Sequence, residues 1–215
     1  MDVLFFLRQR TKFIRTLYDE ACAPFFERQR KIENGEAPFG PSYAEVDGPP
    51  FEEEWAEAET AIRVLGRASV SMLSSSLKLS FETWQREFRI PCAGRKKKAW
   101  LWGYPECFGR ELQIDWSSCP ANTAILEQVA LARDRDQHPD WIGSLNVTHA
   151  KDSRKKYPTP FFSSGFEKLS LAVDADTQWR LGVNVSVDRD SLFEAIDEVE
   201  KLADWLDAQT VVRRT

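Results

Sequence analysis

Apolar residues recur at helical spacing through most of this chain. Residues three and four apart predict a first long helix over 2–33, with Asp2 as its N-cap, and a second over 51–89. Pro24 is expected to kink or split the first helix, because proline removes a backbone hydrogen bond. The middle of the second helix is rich in alanine and serine, which let another helix approach closely. We therefore place this segment at the centre of a bundle or at a dimer seam.

Three further periodic segments follow. One helix is predicted over residues 96–113, and another begins near 120–122, where a proline at the first turn or an asparagine cap would serve. A last helix begins after Asp188 or Asp190, either of which can cap it. The apolar stripe of this last helix consists of Leu192, Ile196, Val199, Leu202 and Leu206.

The connections between these helices are rich in proline, glycine and polar residues. Residues 34–50 form a loop that is either a passive connector or a lid or partner-contact arm. Residues 140–187 are predicted to be irregular, and His149 within them is expected at the surface because no partner pattern surrounds it. Near 183–187, apolar and polar residues alternate, which favours a short β segment or an extended arm. The alternating apolar residues are Val183, Val185 and Val187.

The pattern as a whole predicts an all-α fold, a bundle of four or five main helices in a single domain covering residues 1–215. Eight Trp and fourteen Phe residues favour a filled core or an aromatic interface over disorder. No stretch has the length of a membrane span or the features of a signal peptide. The four cysteines form no Cys-x-x-Cys pair, and the two histidines complete no zinc spacing. We therefore expect a cytoplasmic protein with reduced thiols and without a metal or other cofactor.

The charge distribution leaves room for a local cationic site. The net charge of −5 argues against a general nucleic-acid coat protein. Four cations on the first helix form either a solvated face or a contact to a phosphate backbone: Arg8, Arg10, Lys12 and Arg15. The densest cluster consists of Arg95, Lys96, Lys97 and Lys98. This cluster is either a solvated turn or an RNA-binding segment whose phosphate contacts would be salt-sensitive. The aromatic residues that follow it suit base stacking and core packing equally well.

The residues best suited to catalysis lie at the end of the helix that begins near 120–122. Arg133 falls one turn after Val129, near the middle of the apolar arc, where a helix that only packs would carry an apolar residue. Pro139 disfavours the α conformation of His138, so the helix should end at or just before His138. His138 could then turn back toward Arg133. The alternative is structural: Arg133 would pair with a buried carboxylate, and His138 would be favoured by the helix dipole.

This helix end resembles the Arg-polar-x-x-x-His signature of HEPN domains (higher eukaryotes and prokaryotes nucleotide-binding). The matching residues are Arg133, Asp134 and His138. The resemblance implies a helical homodimer whose two motifs face each other and form a metal-independent endoribonuclease that leaves a 2′,3′-cyclic phosphate. His138 would then transfer protons and Arg133 would stabilise the charge on phosphorus. Asp134 would orient one of the two, and Gln137 would help to bind the phosphate.

The resemblance also implies a role in toxin–antitoxin systems or phage defence, with RNA as the substrate and an antitoxin or another protein as a partner. One toxin branch of the family carries a modifiable Tyr two residues after the His, where this chain has Asp140. Control through that modification is therefore not expected. A second hypothesis is a non-catalytic HEPN-like domain that binds RNA or nucleotide or that only dimerises. A third is a helical protein in which the motif is a coincidence.

Overall fold

The computed structural model describes residues 1–40, 50–92, 100–138, 145–173 and 182–211. Within these ranges the chain forms seven α-helices and no sheet, so the all-α prediction is confirmed. The helices are α1 (Val3–Glu33), α2 (Glu52–Glu87), α3 (Trp100–Leu112), α4 (Thr123–Gln137), α5 (Lys151–Lys156), α6 (Gly165–Val173) and α7 (Arg189–Val211).

Helix α1 runs without interruption from Val3 to Glu33. It begins as predicted, because the Asp2 carboxylate accepts a hydrogen bond of 2.8 Å from the backbone N–H of Phe5. Pro24 lies inside the helix, so the prediction that it could split the helix is wrong. A proline removes one backbone hydrogen bond, and burial of the apolar face on the preceding turns stabilises the helix around it.

Helix α2 is the central helix of the bundle, as the small residues in its middle predict. It packs against α1, α3, α4 and α7. Ser76 and Ser80 are buried, and their hydroxyls donate hydrogen bonds of 2.9 Å to carbonyls one turn earlier in the same helix. At Gly66 a side chain would overlap the carbonyl oxygen of Val187, so the segment before α7 lies directly on α2. Small side chains thus permit close approach on more than one face.

Helix α7 packs along α1 in the opposite direction. Three ion pairs join the two helices, and their residue numbers rise on α1 as they fall on α7. The pairs are Arg8 with Asp204 at 2.7 Å, Arg15 with Asp197 at 2.5 Å, and Asp19 with Arg189 at 2.8 Å. Two of the cations predicted either to be solvated or to contact phosphate, Arg8 and Arg15, are therefore engaged within the fold.

An aromatic cluster and a disulfide join α3 to the end of α2. Phe81 of α2 stacks on Tyr104 of α3 with ring centroids 5.1 Å apart. Cys107 of α3 forms a disulfide with Cys92, and their Cα atoms are 5.5 Å apart. The expectation of reduced thiols is therefore wrong for this pair, because the packing of α3 against α2 brings together two cysteines that are 15 positions apart.

The region predicted to be irregular, 140–187, contains the helices α5 and α6, so that prediction is wrong for those two segments. The segment near 183–187, predicted to be a short β segment or an extended arm, pairs with the preceding chain through an isolated antiparallel bridge between Thr148 and Asn184. Its three valines are buried. The backbone N–H of Val185 donates to the carbonyl of Val147 at 2.7 Å. The pairing stops at this bridge and forms no sheet within the described residues.

His149 lies beside this bridge in the interior, so the prediction of a surface position is wrong. Its side chain is buried, and Nε2 lies 2.8 Å from the carbonyl oxygen of Phe162. Burial lowers the pKa of His149, although the bond to Phe162 and the nearby Glu167 act in the opposite direction. The neutral ring, with its proton on Nε2, is the form that this environment favours.

The melting temperature of the protein should therefore fall as the pH is lowered from about 7 to about 5. The pKa of histidine in the unfolded chain is about 6.5, whereas the pKa of His149 in the folded protein is lower. The unfolded state then binds more protons, so the free energy of unfolding decreases as the pH falls. Calorimetry of the wild type and His149→Gln at both pH values tests this, because the variant should show a smaller pH effect. An equal pH effect in both proteins would contradict the assignment.

Candidate functional site

The end of α4 places His138 at the surface. The helix ends at Gln137, and His138 is its C-cap, with backbone angles outside the α region (φ −127°, ψ 64°). Its backbone N–H still donates to the carbonyl of Asp134 at 3.1 Å. The prediction that the helix ends just before His138 is thus confirmed. The His138 side chain is exposed, which is the state that a proton-transfer group needs to meet a substrate.

Arg133 lies half-buried one turn before this end. Its Nε is buried and has no hydrogen-bond partner within the part of the chain that the structure describes. The carboxylate paired with it is that of Asp134, which lies 4.0 Å from Nη1 and is 63% exposed. The buried carboxylate partner that the structural alternative requires is therefore not found among the described residues. The Arg133 side chain is 23% exposed, so part of it reaches the surface.

Asp136 and Arg135 hold the end of α4 in place through bonds to α2 and to Thr148. The Asp136 carboxylate lies 3.3 Å from Nε of Arg67 on α2 and accepts a hydrogen bond of 2.8 Å from the Ser71 hydroxyl. Arg67 is almost fully buried and also donates to the carbonyl of Leu145 at 2.7 Å. Burial lowers the pKa of Arg67, and Asp136 opposes this effect. Arg135 donates to the carbonyl of Thr148 at 2.8 Å.

Sequence reasoning missed this structural role of Asp136 and Arg67. A signal was present, because Asp136 follows Ala132 by four residues and so continues the buried face of α4. An acidic residue in that position needs a cation from another helix. The sequence does not identify that cation, because Arg67 is 69 positions away in α2.

Gln137 lines a groove of about 560 Å³ that runs between α1 and α2. Arg133 and Gln137 are four residues apart on α4, so they share one face of the helix. Two aromatic side chains of α1, Phe6 and Phe13, also line the groove, and each is more than half exposed. The polar lining is completed by Gln9, Arg10, Ser71, Ser75 and Ser76. A cation, amides, hydroxyls and exposed aromatic rings are the groups that contact phosphates and bases in single-stranded nucleic acids.

Several predicted features are not placed by the structure. The cluster Arg95, Lys96, Lys97 and Lys98 lies outside the described residues, as do Asp140 and most of the loop at 34–50. Within the described ranges, no group of three or more His, Cys, Asp or Glu side chains is arranged to hold a metal ion. None of the described helices combines the length and apolar character needed to cross a membrane.

Comparison with known proteins returned no matching family model, curated protein or solved structure. The resemblance to HEPN domains therefore depends on the residues of the motif and on their positions in the fold.

Proposed function

We propose that this chain is a metal-independent endoribonuclease of HEPN type that acts through Arg133 and His138 at the end of α4. The observation that supports this most directly is the division of roles within the motif. Arg135 and Asp136 fasten the helix end to the bundle, whereas among the described residues Arg133 and Asp134 pair with each other only at 4.0 Å, and His138 is exposed. Charged and titratable side chains at a helix end that are not held by structural partners are candidates for chemistry.

In the proposed reaction, the 2′-hydroxyl of the RNA attacks the adjacent phosphorus. A new bond forms between the 2′-oxygen and phosphorus, and the bond from phosphorus to the 5′-oxygen breaks, which leaves a 2′,3′-cyclic phosphate and a 5′-hydroxyl. His138 takes the proton from the 2′-hydroxyl or gives one to the leaving oxygen. Arg133 stabilises the negative charge that builds up on the phosphoryl oxygens. Asp134, next to Arg133, orients the guanidinium.

The two proton transfers call for two groups, and one chain contributes one His138. We therefore propose that two copies of the chain place their motifs opposite each other, so that one histidine acts as base and the other as acid. The groove beside Gln137 then holds the flanking nucleotide, with Phe6 or Phe13 stacked on a base and Arg10 near a phosphate. A toxin or phage-defence role, with an antitoxin or another protein as partner, is part of the same proposal.

Purified protein should cut single-stranded RNA in the presence of EDTA and leave 2′,3′-cyclic phosphate ends. Mass spectrometry of the products identifies these ends, and an all-DNA strand of the same sequence is the matched control because it lacks the attacking hydroxyl. Cleavage of the DNA strand, or loss of RNA cleavage on addition of EDTA, would contradict the mechanism. RNA binding without cleavage would instead support the non-catalytic HEPN-like alternative, for which the aromatic-lined groove is sufficient.

A further inference from the structure

A second cavity, of about 770 Å³, shares no lining residue with the groove beside Gln137. It lies between α1, α2, α6 and the segment that leads into α7. A space of this volume is in the range of small-molecule sites. The proposed nuclease reaction makes no use of this cavity.

Four aromatic side chains line this second cavity: Tyr18, Phe26, Trp55 and Phe166. Phe166 is 75% exposed, and Phe26 is 45% exposed, so neither is used to fill the core. Trp55 is fixed by a hydrogen bond of 3.1 Å from its indole N–H to Glu33. A ligand in the cavity would therefore contact aromatic rings, and the faces of aromatic rings attract positive charge.

The charged groups of the lining are predominantly acidic. Three carboxylates, those of Glu59, Glu167 and Asp188, face one guanidinium, that of Arg63, which is already ion-paired with Glu59. Glu167 is buried in the wall, where it accepts hydrogen bonds from the backbone N–H groups of Ser164 at 3.0 Å and Asn184 at 2.8 Å. An anion entering this cavity would be repelled, and a cation would be attracted.

Tyr18 belongs to the wall of the cavity. The residue is 1% exposed, and its hydroxyl is enclosed within the protein, where it interacts with the thiol of Cys22, one turn later in α1. The ring of Tyr18 therefore contributes to the aromatic lining of the cavity.

We propose that this cavity binds a small organic cation with an alkylated ammonium group, held by the aromatic rings and the surrounding carboxylates. The aromatic lining favours a weakly hydrated ammonium over an inorganic ion, because dehydration of the alkylated group costs little. This site is separate from the proposed nuclease centre, so either can fail without the other.

Isothermal titration with choline and with butylammonium tests the proposal. At least one of the two should bind saturably, and 3,3-dimethylbutan-1-ol, the neutral isostere of choline, should bind at least about tenfold more weakly. Equal binding of choline and its neutral isostere would overturn the assignment of a cation site. Absence of saturable binding of both ammonium probes up to about 10 mM would overturn the proposal as a whole.

Variants locate the binding in this cavity. Phe166→Ala removes an exposed ring and should weaken binding about tenfold, whereas Phe5→Ala removes an exposed ring outside the cavity and should have no effect. If Phe166→Ala and Phe5→Ala bind choline equally well, the cavity is not the site.

Discussion

His138→Ala should lower the rate of RNA cleavage by roughly 100-fold or more, because the variant lacks the group that we propose transfers the proton. Arg133→Ala should lower the cleavage rate by a similar factor, because the charge on the phosphoryl oxygens is no longer stabilised. Arg133→Lys should recover little of this loss, since an ammonium lacks the bidentate fork of a guanidinium. Single-turnover cleavage of one RNA strand by each variant provides the comparison.

The same variants should keep the melting temperature of the wild type. His138 is exposed, and Arg133 is paired with no carboxylate other than the exposed Asp134 in the described structure, so neither substitution leaves a buried charge behind. Arg110→Ala is the control for the loss of an exposed arginine, because Arg110 lies on the surface of α3 and pairs with its neighbour Glu111. A clear loss of melting temperature together with unchanged cleavage would mean that Arg133 has a structural role and that the catalytic proposal is wrong.

Asp136→Ala, in contrast, should affect stability and lower the free energy of unfolding by roughly 2–4 kcal/mol. The substitution leaves Arg67, which is 5% exposed, without its carboxylate, and it also removes the acceptor of the Ser71 hydroxyl. Part of the cost is relieved because Asp136 is itself 26% exposed and water can reach the site. Urea denaturation of both proteins measures the difference.

Asp134→Ala is the control for this effect on stability, because it removes the same side chain from the same turn of α4. Its carboxylate is 63% exposed, so the free energy of unfolding should change by no more than about 0.5 kcal/mol. If the two alanine variants unfold at the same urea concentration, the pair between Arg67 and Asp136 does not stabilise the helix end. The separation of structural and available charges within the motif would then lose its basis.

The long helices could be predicted from the sequence because each repeats its apolar spacing over many turns. The cap at Asp2 and the end of α4 before His138 also follow from local rules, which depend only on neighbouring residues. Helices α5 and α6 were missed because six and nine residues are too few to establish a period.

The contacts that define the candidate site could not be predicted in the same way, because they join residues that are distant in the chain. The position of His149 is decided by a carbonyl 13 residues away, and that of Asp136 by an arginine 69 residues away. Such partners are set by the packing of whole helices.

The antiparallel packing of α7 on α1 also bears on how the chain is made. During translation α1 leaves the ribosome before α7, which ends at Val211 and is completed roughly 10 s or more later. Helix α2 follows α1 directly and can pack on it early, whereas the ion pairs between α1 and α7 form only after the intervening helices have been made. The contact between α1 and α7 therefore closes the bundle late in synthesis.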